Sequence, residues 1–226
     1  MSQTTAKEKA ENLIELGEHN AFVLIADISG YTEFIKFSAQ EMTHAQIALS
    51  ELMGAMWDAA QGQLEPLKTE GDAILFAGAD NPENIATGIE NILRAYYCTR
   101  TTMNTHNSCD CRACSSLPGL ELKILGHYGR VLFHEFKGSR DITGLTVVTV
   151  HRMLKNTITG SCYVALSEAA SSIPVNFGDC AQVFEEYPDV GTLKIDLHRF
   201  DPTPWKTETP QSLSLIQRAL KCIMGD

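Results

Sequence analysis

At 226 residues, with 44% hydrophobic and 20% charged side chains, the chain has the composition of an ordinary globular protein. That excludes the collagenous and disordered classes and leaves length enough for one sizeable core. A formal net charge of -10 argues against a nonspecific grip on nucleic acid or on an anionic membrane surface, so a polyanion would be held locally, by metal ions or a few placed cations.

The first 20 residues are polar and mixed in charge, without the apolar core of a signal peptide, and they read as an N-terminal extension with a short helix from Lys7 to Leu16. No run approaches the ~18 apolar residues that span a bilayer, so a cytoplasmic protein without membrane insertion is expected. Residues Ala21 to Ile28 then form a nearly continuous apolar strand suited to the middle of a sheet. Asp27 interrupts it. An ionised carboxylate in a buried strand is costly unless it sits at the strand's end, meets a cation or holds a metal.

From Thr43 to Ala60 apolar residues recur at helical spacing, with Gly62 as a stop. Leu64 to Gly78 reads as a hairpin turning near Glu70-Gly71, with Asp72 just past its tip. A second helix starts with Asn81 as cap and Pro82 at its first position, and places Ile85, Ile89, Ile92, Leu93 and Tyr96 on one face. Thr99 to Pro118 is polar and breaks the pattern, as an insertion or loop would. Strands are expected over Leu120 to Tyr128 and Arg130 to Phe136 around Gly129, a helix over Leu145 to Leu154, a strand over Cys162 to Leu166 and a short helix over Glu168 to Ser172. A last hairpin pairs Ala181 to Glu186 with Thr192 to Phe200, and residues 201–226 form a proline-bearing tail with a terminal helix from about Ser212 to Met224.

This order predicts an α+β fold with a mostly antiparallel sheet covered by helices, opening on a ferredoxin-like βαββαβ core. Residues 21–200 make one domain, with a cysteine-rich insertion at 98–118.

The stretch F-V-L-I-A-D-I-S-G-Y-T at 22–32 closely resembles the first strand and turn of class III adenylate and guanylate cyclase domains, whose signature is an apolar run followed by Asp-Ile-x-Gly-Phe/Tyr-Thr. The resemblance implies that Asp27 and the carbonyl of Ile28 hold catalytic Mg²⁺ or Mn²⁺. It also implies that the turn Ser29, Gly30, Tyr31 and Thr32 cradles phosphates. The family's second metal-binding Asp, on a Gly-Asp hairpin, is matched by Gly71-Asp72, and its adenine-reading Lys, four residues earlier, by Lys68. The pattern Asp-x-x-Gly-x-x-Val-Asn-x-x-x-Arg is matched by Asp141, Gly144, Val147 and Arg152, with Val148 in place of the Asn. By resemblance Asp141 reads the purine with Lys68, a pair that favours ATP, and Arg152 stabilises the transition-state phosphate. A homodimer is implied, each site taking its metal carboxylates from one subunit and its base-reading and Arg residues from the other.

The chemistry accounts for these residue types. Joining a ribose 3'-oxygen to the α-phosphorus with loss of pyrophosphate calls for carboxylate-held divalent ions and a cation on the phosphoryl oxygens. Simpler readings stand beside each assignment: Asp27 as a strand-end carboxylate accepting backbone N–H bonds, Lys68 with Glu70 as a charged hairpin edge, Asp141 as a helix cap, Arg152 as a solvated helix residue. Losing the Asn at Val148 removes a polar contact to the ribose. The expected function is therefore an adenylate cyclase, with a nucleotide-binding or other ligand-binding regulatory module as the alternative.

Seven cysteines is an odd number, and three crowd into Cys109-Asp110-Cys111-Arg112-Ala113-Cys114. With His106 and with Cys98 upstream, these offer enough soft ligands for a tetrahedral zinc site, or secondarily an iron-sulfur cluster. A polar loop with free thiols is the plain alternative, and redox sensing a lesser one.

Overall fold

The computed structural model describes residues 14–105 and 109–206. Its strands are β1 (Gly17–Ser29), β2 (Glu65–Glu70), β3 (Ala73–Gly78), β4 (Glu121–Phe136), β5 (Ser139–Thr143), β6 (Tyr163–Ser167), β7 (Asp179–Tyr187) and β8 (Gly191–Arg199). Its helices are α1 (Tyr31–Phe37), α2 (Met42–Ala60), α3 (Pro82–Thr105), α4 (Arg112–Ser116), α5 (Leu145–Met153) and α6 (Thr203–Lys206), with 3-10 turns at Leu117–Gly119 and Glu168–Ala170.

The strands form one eight-stranded sheet in the order β2-β3-β1-β4-β6-β8-β7, with β5 added to β4. Every pairing is antiparallel except β4 with β6. The first four strands, in the order β2-β3-β1-β4 and joined through α1–α2 and α3, are the ferredoxin-like core expected from the sequence.

The apolar run of β1 follows from its place. It is paired on both edges and covered on both faces. Phe22, Leu24, Ala26 and Ile28 pack with Leu49, Leu52 and Met56 of α2 and with Ile85, Ile89 and Tyr96 of α3. Ala21, Val23 and Ile25 point the other way, into a cluster with Leu125, Phe133 and, from α5, Val150 and Met153. Each such buried aliphatic or aromatic side chain is worth about 1.5–3 kcal/mol.

The structure departs from expectation where polar residues are buried. The stretch from Thr99 is not loop at its start: α3 runs on to Thr105 because Thr99, Arg100 and Thr102 face inward, and Arg100 is held by Glu121 at 3.1 Å and by the carbonyl of Leu120. A further helical turn, α4, forms within the cysteine segment. Residues 120–136 are not two strands but one, and Gly129 is a point of close approach: a Cβ there would lie 2.6 Å from Thr146 Oγ1 of α5. Residues 14–16 are not helical. The remainder of the predicted Lys7 to Leu16 helix and the Ser212 to Met224 helix lie outside the described residues.

Candidate functional site

Strand β1 leaves the sheet through Asp27, Ile28 and Ser29. Asp27 lies opposite Lys123 of β4 in the strand register, and the Lys123 ammonium sits 3.0 Å from its Oδ2. Asp72, which leads into β3, accepts the amide of Ile28 on its backbone carbonyl at 3.2 Å, so the end of β1 and the hairpin turn are tied together. Burial pushes the Asp72 carboxyl above the usual carboxylate range, and the neighbouring Asp27 charge adds to the rise, against a smaller opposing pull from Lys123. Two half-buried carboxylates thus share the end of β1, hard-oxygen donors of the kind that suit Mg²⁺ or Mn²⁺, and the Lys123 ammonium is the counter-charge of Asp27.

Gly30 follows with φ of 90°, a conformation that favours glycine, and its carbonyl starts α1 by accepting from the amide of Phe34 at 2.9 Å. A Cβ at Gly30 would also stand 3.2 Å from the carbonyl oxygen of Gly119, so the turn is pressed against the segment that enters β4. Tyr31 and Thr32 occupy the first helical turn, where backbone N–H groups have no partner within the helix.

A second cluster forms around β2. Lys68 donates to Asp141 Oδ1 at 2.9 Å across 73 positions of sequence, and Glu70 lies 3.6 Å from the same ammonium. Glu70 Oε2 is 2.6 Å from His151 Nε2, and His151 Nδ1 is 2.7 Å from the carbonyl of Val147, so Asp141, Lys68, Glu70 and His151 form one polar chain from β5 to α5. Burial lowers the Lys68 ammonium's affinity for its proton, but its hydrogen bond to Asp141 and the Asp141 and Glu70 charges outweigh that and raise it. For Asp141, burial is likewise outweighed, here by the bonds from Lys68 and the Ile142 amide, and its carboxyl falls below the usual range. Asp141 is not a helix cap: it lies in β5, and the N-cap of α5 is Gly144.

Arg152, one residue beyond His151, pairs with Asp189 in the turn between β7 and β8, and its Nε is buried without a hydrogen-bond partner. Val148 is 43% exposed on α5, close in sequence to Leu145 at 67%. The valine therefore stands at a surface, and no core-packing demand put it there.

The cysteines divide. Cys109, Cys111 and Cys114 converge, but on His44 of α2 and not on Cys98, whose buried thiol donates to the carbonyl of Trp205 at 3.0 Å. His106 lies outside the described residues. Burial raises the Cys111 thiol, but bonds from the Cys114 amide and the neighbouring His44, Cys109 and Cys114 side chains bring it down to about 7. The Cys114 thiol is pushed up to about 12 by burial and by Cys111 beside it.

Sequence reasoning passed over Lys123, Glu70, His151 and His44 as site residues. Lys123 left a signal, a lone lysine in the apolar strand L-E-L-K-I-L. His44 left none, since it lies 65 positions from the nearest of its cysteines.

The fold is similar to solved cyclase domains. The catalytic core of a rhodopsin-guanylyl cyclase with converted specificity, in complex with ATPαS, matches over 82% of this chain and 99% of its own, with 17% identity and a TM-score of 0.61. The guanylyl cyclase Cya2 matches over 88% and 98%, with 13% identity and a TM-score of 0.62. A bacterial light-regulated adenylyl cyclase matches over 92% of this chain and 59% of its own, with 14% identity and a TM-score of 0.59. At these identities the likeness speaks for the fold, which is class III cyclase-like. The uncharacterized protein Rv2561/Rv2562 of Mycobacterium tuberculosis is 26% identical over 163 residues, covering 69% of this chain and 76% of its own. Within the described residues no helix is long and apolar enough to cross a membrane. Residues 49–163, just over half of the chain, match the family described as "Protein of unknown function (DUF2652)", and the chain belongs to that family.

Proposed function

We propose that this protein is a cytoplasmic nucleotide cyclase that converts ATP to cyclic AMP and pyrophosphate. The observation that carries the reading is that residues matched separately to the cyclase pattern meet as the two pairs the chemistry needs. The Ile28 amide donates to the Asp72 carbonyl at 3.2 Å, which brings Asp72 to the end of β1 that carries Asp27, and Lys68 donates to Asp141 at 2.9 Å. The fold likeness to guanylyl and adenylyl cyclase domains supports it.

In this reading Asp27, the Ile28 carbonyl and Asp72 would hold Mg²⁺ or Mn²⁺, which when bound lowers the pKa of the ribose 3'-hydroxyl and offsets triphosphate charge. The 3'-hydroxyl gives its proton to water, its oxygen forms a bond to the α-phosphorus, the α–β phosphoanhydride bond breaks, and pyrophosphate leaves. Lys123, which balances Asp27 at rest, is a cation at hand for the incoming phosphates, and the turn from Ser29 to Thr32 offers them backbone amides. Lys68 supplies a donor and Asp141 an acceptor, complementary to the ring nitrogen and amino group on an adenine edge. Arg152 is restrained by an ion pair with the exposed Asp189, weak enough to exchange for phosphoryl oxygens. The outward-facing Leu145, Val148 and Phe136 give α5 and the end of β4 an apolar surface for a second copy of the chain. The homodimer would complete each site with Lys68, Asp141 and Arg152 from the partner.

A second reading rests on Val148. An apolar side chain where the family places an amide suits a module that binds nucleotide without turning it over. Mass spectrometry after incubation with ATP, GTP, CTP and UTP plus Mn²⁺, beside Asp27→Asn, separates the two. A cyclic product made only by the unaltered protein supports the enzyme and names its base. No product, with a nucleotide-dependent rise in melting temperature, supports the module, and neither response overturns both.

A further inference from the structure

We infer that His44, Cys109, Cys111 and Cys114 bind a single structural Zn²⁺ ion that fastens the segment entering β4 to helix α2. The four ligand atoms lie within 4.8 Å of one another. His44 Nδ1 is 3.3 Å from the Cys111 sulfur, 3.5 Å from that of Cys109 and 3.8 Å from that of Cys114. With zinc–sulfur bonds of about 2.3 Å and zinc–nitrogen bonds of about 2.0–2.1 Å, neighbouring ligand atoms of a tetrahedron stand about 3.5–3.8 Å apart. The three sulfur–nitrogen distances, 3.3, 3.5 and 3.8 Å, thus bracket the tetrahedral edge of about 3.5 Å between a zinc-bound thiolate and imidazole nitrogen.

The donor chemistry selects the ion. Three thiolates and an imidazole are the Cys₃His set of structural zinc sites. A disulfide between any two of the cysteines would leave the third thiol and the histidine unexplained. The span of the cluster fits one ion and not a multi-iron core. Four protein ligands also close the coordination sphere, leaving no open position for a substrate or a reactive water, which makes the site structural and not catalytic.

The location gives it a role. His44 lies in the first turns of α2, while Cys111 caps α4 and Cys114 lies within it. Nearby, Arg112 of α4 lies over the Phe37 ring of α1 at 5.6 Å. The chain then passes through the Leu117–Gly119 turn, whose last carbonyl presses on Gly30. An ion at the cluster thus holds the segment that backs the Gly30 turn, whatever that turn binds.

The test uses the full-length protein, purified under reducing conditions without chelator, with metal content read by mass spectrometry. About one zinc per chain is expected, retained in Cys98→Ser and Cys180→Ser and reduced to under about a tenth in Cys111→Ser and His44→Ala. Because those variants could fail to fold, the unaltered protein is also stripped with a chelator and reloaded with Co²⁺. A visible tetrahedral cobalt spectrum with thiolate charge-transfer bands is expected, together with a rise in melting temperature on adding back Zn²⁺. Absence of stoichiometric zinc with no such cobalt spectrum overturns the inference, as does iron with acid-labile sulfide, or zinc held undiminished by folded Cys111→Ser.

Discussion

The carboxylate pair at Asp27 and Asp72 and the thiol cluster around His44 both concentrate ligand atoms, but they are built in opposite ways. Asp27 ends a strand paired on both edges, and Asp72 is tied to it through the Ile28 amide, so sheet hydrogen bonds set the spacing of the carboxylates before any ion arrives. Lys123 supplies Asp27 with a counter-charge. The thiols instead sit on a short loop and a five-residue helix, elements that are marginal without an external constraint. A site framed by a sheet would keep its shape while exchanging ions; one framed by a loop would depend on an occupant for shape.

The sharpest way to break that contrast is Asp27→Asn, which keeps an oxygen for Lys123 but removes the charge. Cyclic nucleotide formation should fall by at least about 10³-fold, measured by product mass spectrometry, with a lowered melting temperature, because the largely buried Lys123 ammonium loses its counter-charge. Val148→Asn should act the other way, raising turnover by about 10-fold or more at little cost in stability, because the position is exposed. At the thiol cluster, Cys111→Ser should lower the melting temperature by roughly 5–10 °C and remove its response to chelators, while divalent-ion effects at Asp27 persist.

Asp72→Asn should raise the melting temperature of ion-free protein by about 1–3 °C, a gain limited by solvent screening, and abolish stabilisation by Mn²⁺. The sign follows from the raised carboxyl. Its ionisation costs folding free energy at neutral pH, and that cost fades as pH falls through the raised value, so the two proteins should converge in acid. The smallest effect concerns Lys68 and Asp141. The depressed Asp141 contributes stability above its unfolded value of 3.8 that is lost as pH falls through the lower folded value. The raised Lys68 contributes below 10.5 and loses it as pH rises through the higher folded value. Asp141→Asn should therefore cost under about 1 kcal/mol between pH 5 and 9, because the pair is partly exposed, and progressively less in stronger acid.

What the sequence made legible was what depends on neighbours along the chain. The β1 run, the Glu70-Gly71 hairpin and the apolar face from Ile85 to Tyr96 carry their periods openly, and the ferredoxin-like order follows from them. Arg100 hid the end of α3, because a buried arginine looks like loop until Glu121 is placed beside it. Gly129 looked like a break and proved to be a seat for Thr146, a difference that only the packing of α5 on β4 decides. The pairing of Asp27 with Lys123 needed the strand register, and that of His44 with its cysteines needed the packed helices. Residues with a local pattern could be read, whereas partners set by tertiary contact could not.

Val148 has a consequence for how this chain can change over time. A side chain at the surface of α5, with no core contact to preserve, can be exchanged without threatening the fold. If one amide there separates a fast cyclase from a slow or silent one, the two lie a single substitution apart at little cost to the fold of the single chain. Lineages could then pass from catalyst to receptor and back along a level path.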